Sequence, residues 1–174
     1  MRIATLTTLL ALALAGTAHA EVEPIDGGFR TRNIVEVAAT PERAYAALGE
    51  VERWWNGAHT YSGDAANMSL PLTVGGCFCE TVGAETTRHG TVTLALPGYL
   101  LRLEAALGPL RDEKAVGVLL FAFQPKGAGV EVEQTYTVGG LRPAAVEALA
   151  AAVDGVMREQ LLRFEKYVET GRPE

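Results

Sequence analysis

Three groups of side chains in this sequence have the types and spacing that chemistry needs. The first is Trp54-Trp55-Asn56, followed by a polar stretch holding His59, Tyr61 and Asp64. A histidine and a carboxylate on one segment become an acid–base pair when the fold brings them within hydrogen-bond reach. Two adjacent indoles beside a polar segment suit a pocket mouth, where an aromatic face stacks on a ligand. The plainer alternative puts one Trp in the core, the other capping it, and His59 on an exposed loop.

The second group is Cys77 and Cys79, the only cysteines. On a flat strand, residues two apart project from one face roughly 6.6 Å apart. A disulfide needs Cβ atoms about 3.5–4.5 Å apart, so a bridge here requires a bulge beside Gly75-Gly76. Packed free thiols, a redox pair and soft-metal ligation with His59 or His89 remain open alternatives. Two Cys and two scattered His lack zinc-site spacing, so neither a metal site nor a cofactor is expected. The third group is Glu80, Arg102 and Glu104, charges set within strand-like alternation. Glu80 turned inward could serve His59 or orient a polar ligand group, although the solvent face is the usual place for such charges. His89 shares its alternation with Thr91 and Thr93, and a surface position is expected for it.

The elements that must position these groups can be read from periodicity. Residues 21–28 read as a loose lead-in, and Thr31–Val37 as a short strand. Thr40-Pro41-Glu42 opens a helix with a capping hydroxyl, a proline in the first turn and an acid at the positive end. Gly49 closes that helix, and Val51, Trp54 and Trp55 mark a second short one. Asn56–Asn67 has no period and reads as a long loop, a common place for function.

Strand signals follow. Met68, Leu70, Leu72 and Val74 alternate with polar or small residues, and Gly75-Gly76 reads as a two-residue hairpin turn into Cys77–Val82. His89–Leu96, Tyr99–Ala105, Ala115–Gln124 and Val130–Val138 continue the pattern. The stretch Ala115–Gln124 is apolar on both faces, as expected of a central or pocket-lining strand. Pro143 opens a helix to about Val168, on the order of 39 Å long. Its apolar stripe is Val146, Leu149, Val153, Val156, Met157, Leu161, Phe164 and Val168. Glu147, Asp154, Arg158, Arg163 and Lys166 occupy the other side.

Ala150, Ala151, Ala152 and Gly155 keep the first half of this helix thin. A run of strands with helices segregated to one side predicts an α+β fold. A single helix under a curled antiparallel sheet under-fills the hollow, and the remaining space is a ligand-sized cavity. Trp54, Trp55, Tyr61, Leu101, Phe121, Phe123, Tyr136 and Met157 are expected to line it.

At the amino terminus, Arg2, the apolar run Leu6–Gly16 and Ala18-His19-Ala20 have the form of a secretory signal peptide over residues 1–20. The apolar run is shorter than the roughly 20 residues of a membrane span. Residues 29–170 then form one domain, and 171–174 a tail. Loss of the leader takes the formal charge from −6 to −7. No basic cluster remains to mark a nucleic-acid footprint or an anionic membrane surface. The expected protein is exported, periplasmic or extracellular, and its partner is a small hydrophobic or amphipathic molecule.

The motifs Ala39-Thr40-Pro41-Glu42-Arg43-Ala44-Tyr45, Val51-x-x-Trp54-Trp55, Gly75-Gly76-x-Phe78-x-Glu80 and His89-Gly90-x-Val92, with the closing helix, resemble the START-like, or SRPBCC, helix-grip superfamily. The resemblance covers about residues 30–170. Within it the chain is similar to exported members of the branch named for the activator of the heat-shock-protein-ninety ATPase. It implies a hydrophobic ligand cavity or, in some relatives, an enzyme that cyclises or dehydrates polyketides. The branch name implies chaperone activation, but an exported protein would not meet a cytosolic chaperone. The superfamily has no universal catalytic set, so no catalytic role is transferred. Three readings remain: a ligand carrier; a cyclase, dehydratase or hydrolase using His59 with Asp64 or Glu80; and a partner-binding module with a filled core.

Overall fold

The structure is a computed structural model and describes residues 21–174. The expected secretory leader, residues 1–20, lies outside the described residues. The chain runs β1 (Glu21–Ile25), β2 (Gly28–Val37), α1 (Pro41–Leu48), α2 (Val51–Trp54), β3 (Met68–Ser69), β4 (Cys77–Val82), β5 (Glu85–Leu96), β6 (Leu100–Ala105), β7 (Val116–Lys126), β8 (Gly129–Gly139) and α3 (Pro143–Thr170). The strands form one curved antiparallel sheet in the order β1-β2-β8-β7-β6-β5-β4-β3. This is the α+β helix-grip architecture, with α3 held in the hollow of the sheet.

The helix signals act as expected. Thr40 accepts a hydrogen bond from the Arg43 amide, and Gly49 closes α1 through its own N–H. In β8 inward residues are buried and outward ones half-exposed in strict alternation, as a sheet covered on one side requires. Two strand readings are corrected. The lead-in pairs with β2 from Glu21↔Arg32 to Ile25↔Gly28 and is an edge strand. Only Met68 and Ser69 of the Met68–Val74 run join the sheet. Pro71 has no N–H to donate to a ladder, and the chain instead turns at Thr73–Gly76, closed by the Gly76 amide on the Thr73 carbonyl.

The core sits between the inner face of the sheet and the helices. Val37, Phe121, Phe123, Val132 and Tyr136 meet Tyr45, Leu48, Trp54, Leu161 and Phe164 there, all buried. Phe164 meets the Trp54 ring edge-on at 5.4 Å, and Tyr45 meets Phe123 at 5.6 Å. Burying one such side chain contributes roughly 1.5–3 kcal/mol. Asp154, expected on the solvent side of α3, is buried and accepts a hydrogen bond from Asn33 Nδ2 at 3.2 Å. Among the described residues no helix is long and apolar enough to cross a membrane.

Candidate functional site

Asparagine and aspartate fold the loop after α2 locally. Asn56 Oδ1 accepts from the Ala58 amide and Asp64 Oδ1 from the Ala66 amide, each at 2.9 Å, starting two single helical turns. Such short side chains compete well for nearby backbone donors. Asn56 also ties the loop to α3. Its amide N–H donates to Gln160 Oε1 at 2.8 Å and its Nδ2 to Glu159 Oε1 at 2.5 Å. His59 Nε2 lies 3.1 Å from the other Glu159 oxygen.

The far end of the loop is tied to the sheet by Glu80. This carboxylate is buried, yet it accepts from the Tyr61 amide at 3.1 Å and the Ser62 amide at 2.5 Å. His89 Nε2 is 2.9 Å away. Burial works to raise the Glu80 pKa, but the Ser62, Tyr61 and His89 hydrogen bonds outweigh it and hold the carboxyl below its ordinary value. Burial lowers the pKa of His89 below that of an ordinary histidine, against the raising pull of Glu80. The pair is therefore a neutral imidazole donating Nε2–H to an ionised carboxylate at neutral pH.

His89 reaches this place because β5 bulges. Gly90 pairs with Phe78 and Arg88 with Cys79, so His89 is the extra residue and both His89 and Gly90 are buried. A bulge re-aims a side chain that strict alternation would send outward. A Cβ on Gly90 would sit 2.7 Å from the Ala105 Cβ, so close strand approach requires glycine there. Opposite the bulge, the Cys77 and Cys79 Cα atoms are 5.2 Å apart, and the two sulfurs are joined in a disulfide. The free-thiol and metal alternatives do not describe this form. Among the described residues no group of three or more His, Cys, Asp or Glu gathers as a metal site requires.

Above this pair lies a half-open pocket of about 270 Å³. Leu149, Ala152, Val153, Val156 and Met157 of α3 form one wall. Trp55, His59, Thr60 and Tyr61 form a second, Leu107-Gly108-Pro109 a third, and His89 completes the lining. The Tyr61 ring stacks on the His89 imidazole at 5.5 Å, 10° from parallel, and is half exposed. Trp55 packs edge-on against Phe78 at 5.5 Å and donates Nε1–H to the His59 carbonyl at 3.1 Å.

Of the residues expected to line the cavity, Trp55, Tyr61 and Met157 do so. The rest are corrected. Leu101, Phe121 and Phe123 project into packed core, and Trp54 points away, donating Nε1–H to the Ala47 carbonyl. Tyr136 is buried too, but it shapes the pocket: its hydroxyl donates to the Ala105 carbonyl at 2.8 Å and accepts from the Leu107 amide at 3.1 Å. Asp64 caps its turn and does not meet His59, whose carboxylate partner is Glu159. Glu80 is turned inward but serves His89 and the loop amides instead of His59. His89 is inside rather than on the surface. Arg102 and Glu104 are exposed, as expected of strand charges.

An α+β sheet gripping one long helix, with a ligand-sized pocket beside that helix, defines a START-like, SRPBCC helix-grip protein. The family model for polyketide cyclase / dehydrase and lipid transport matches residues 17–169, and the chain belongs to that family. No curated protein matches it. Among solved structures it is similar to the Aha1 dimer from Colwellia psychrerythraea, at 17% identity over 82% of this chain and 97% of that one, with TM-score 0.60. A protein from Arthrobacter aurescens is 17% identical over 88% and 94%, TM-score 0.61. Another from Rhodobacter sphaeroides is 21% identical over 82% and 93%, TM-score 0.56. At these identities the likeness establishes the fold alone.

Proposed function

We propose that this chain is an exported binding protein that holds one small hydrophobic or amphipathic molecule in the pocket between α3, the loop after α2 and Leu107–Pro109. The observation that carries this reading is an apolar cavity of about 270 Å³, walled by Trp55, Leu149, Val153, Val156 and Met157. An apolar cavity of about 150 Å³ accepts a benzene ring, so this one has room for a bicyclic guest. Native mass spectrometry of freshly purified protein is expected to show a small-molecule adduct that organic extraction removes. A pocket that takes up no apolar probe would overturn the reading. Export is supported by the leader-like residues 1–20 and by a disulfide, which persists in oxidising compartments. Amino-terminal sequencing of protein recovered from the cell exterior or periplasm should begin at Glu21, and retention of Met1 would refute cleavage.

A second reading, catalysis in the same pocket, is favoured by the 2.9 Å contact between His89 and Glu80 on a residue lining the cavity. A carboxylate that orients an imidazole is the usual support for a general base. A base at His89 would accelerate deuterium exchange at the acidic C–H of a β-diketone probe, and His89→Gln would abolish the acceleration. Equal exchange rates in the two proteins would exclude it.

A further inference from the structure

We propose that the pocket is selective for neutral ligands carrying a hydroxyl donor, such as a phenol or an alcohol on a ring system, and that His89 Nδ1 receives that donor. The inference rests on the binding reading above and specifies the chemistry of the guest.

The Glu80 carboxylate has no proton to give, so Nε2 of His89 carries the hydrogen and Nδ1 carries the lone pair. Nδ1 has no hydrogen-bond partner among the described residues. It is not fully enclosed by protein, and the space that His89 lines is the pocket. Most other polar side chains of the wall are engaged or partly exposed, and His59, whose Nδ1 is also unbonded, is about a third exposed rather than enclosed. His59 Nε2 meets Glu159, Thr60 Oγ1 donates to the Gly57 carbonyl at 2.7 Å, and the Tyr61 ring is half exposed. His89 Nδ1 is thus an acceptor in a mostly apolar recess.

An apolar guest that displaces water from Nδ1 leaves it unsatisfied, whereas a hydroxyl replaces the lost bond. Carboxylates are disfavoured by the charge nearest the site. No Lys or Arg lines the pocket, Glu80 lies directly behind His89 and Glu159 beside His59, while the one cation felt at His89, Arg111, acts on it from outside the lining. Specificity of this kind comes from a fixed acceptor, which penalises the ligand that cannot satisfy it.

The test compares naphthalene, 2-naphthol and 2-naphthoate by titration calorimetry on the wild-type chain and on His89→Phe. Phenylalanine keeps a ring against Tyr61 and carries no acceptor, while the Tyr61 and Ser62 amides still hold Glu80. Wild type should bind 2-naphthol roughly 3- to 10-fold more tightly than naphthalene, the net worth of one hydrogen bond. The preference, read as the ratio of the two affinities within the variant, should vanish, and a ratio kept at its wild-type value overturns the assignment to His89. In wild type, 2-naphthol but not naphthalene should also move the Nδ1 nitrogen resonance of His89, a readout that needs no variant. Equal affinity for naphthol and naphthalene, or tightest binding of naphthoate, overturns the donor selectivity and leaves the pocket reading standing. Binding of none of the three overturns both.

Discussion

The two halves of α3 meet the same curved sheet with opposite results. Over its second half, Leu161, Phe164 and Tyr167 are buried in the core, Phe164 against the Trp54 ring. Over its first half, Leu149, Val153 and Val156 are only half-buried and face an open pocket. Both halves carry an apolar stripe. They differ in side-chain bulk and in the partner opposite: aromatic rings from the short helices fill one end, while a loop held off by Glu80 and Glu159 roofs the other. An apolar stripe thus marks which side of a helix faces inward. It does not say whether that side meets protein or empty space.

The contrast can be broken by substitution. Phe164→Ala opens a cavity in the filled half, where such truncations cost about 3–5 kcal/mol. Chemical denaturation should show a loss in that range, and a loss under about 1 kcal/mol would mean the half is not tightly packed.

Next in size is Glu80→Gln, which weakens the ties to Tyr61, Ser62 and His89 and should cost about 1–3 kcal/mol at neutral pH. The pH dependence sharpens the point. His89 has a lowered pKa when folded, so the unfolded chain takes up a proton first, and stability falls as pH drops below about 6.5. Glu80 is also lowered, so its contribution is complete above about pH 4.3 and is lost as pH falls through its folded value. Denaturation midpoints measured across this range should show both falls in wild type. Glu80→Gln should shrink the lower one, leaving the shares of Glu50 and Glu159, and an unchanged profile would place the acid sensitivity elsewhere.

In the open half, Val153→Phe grows a half-buried wall residue into the void. It should weaken binding of a naphthalene probe about tenfold, the equivalent of 1.4 kcal/mol, while thermal stability stays level or rises. A full loss of folding would show that the space is not available. The smallest effect is expected for Leu149→Ala, roughly 1 kcal/mol or less, because part of its surface already faces no protein. A cost equal to that of Phe164→Ala would erase the distinction between the two halves.

Much of the fold could be read from local signals. Thr40-Pro41 and Gly49 bracket α1, and the alternation through Val130–Val138 is seen directly as β8. The thin segment Ala150–Gly155 correctly marks the end of α3 where space remains. What the alternation rule could not give is a change of phase. Alternation puts His89 on one face with Thr91 and Thr93, outward, and one bulge reverses it; the isolated Gly90 is the available signal. The Glu80–His89 and His59–Glu159 pairs join residues 9 and 100 positions apart. The first required the bulge to be known, and the second the seating of α3, which no local period encodes. The Phe121, Phe123 and Tyr136 assignments failed for a related reason. Inward orientation is correct, but Phe123 packs on Tyr45 of α1, and the Tyr136 hydroxyl is taken up by the Ala105 and Leu107 backbone.

The outer strands of the sheet carry a further consequence. An open eight-stranded sheet ends in two rows of unsatisfied backbone groups, and such rows recruit further strands from other molecules. Here one border is β1, where Pro24 offers no N–H and the Glu23–Arg30 ion pair places charge at the rim. The other is β3, only two residues long. Neither border is a good template for fibril-like growth, so the curl that opens a pocket does not come with a matching tendency to aggregate.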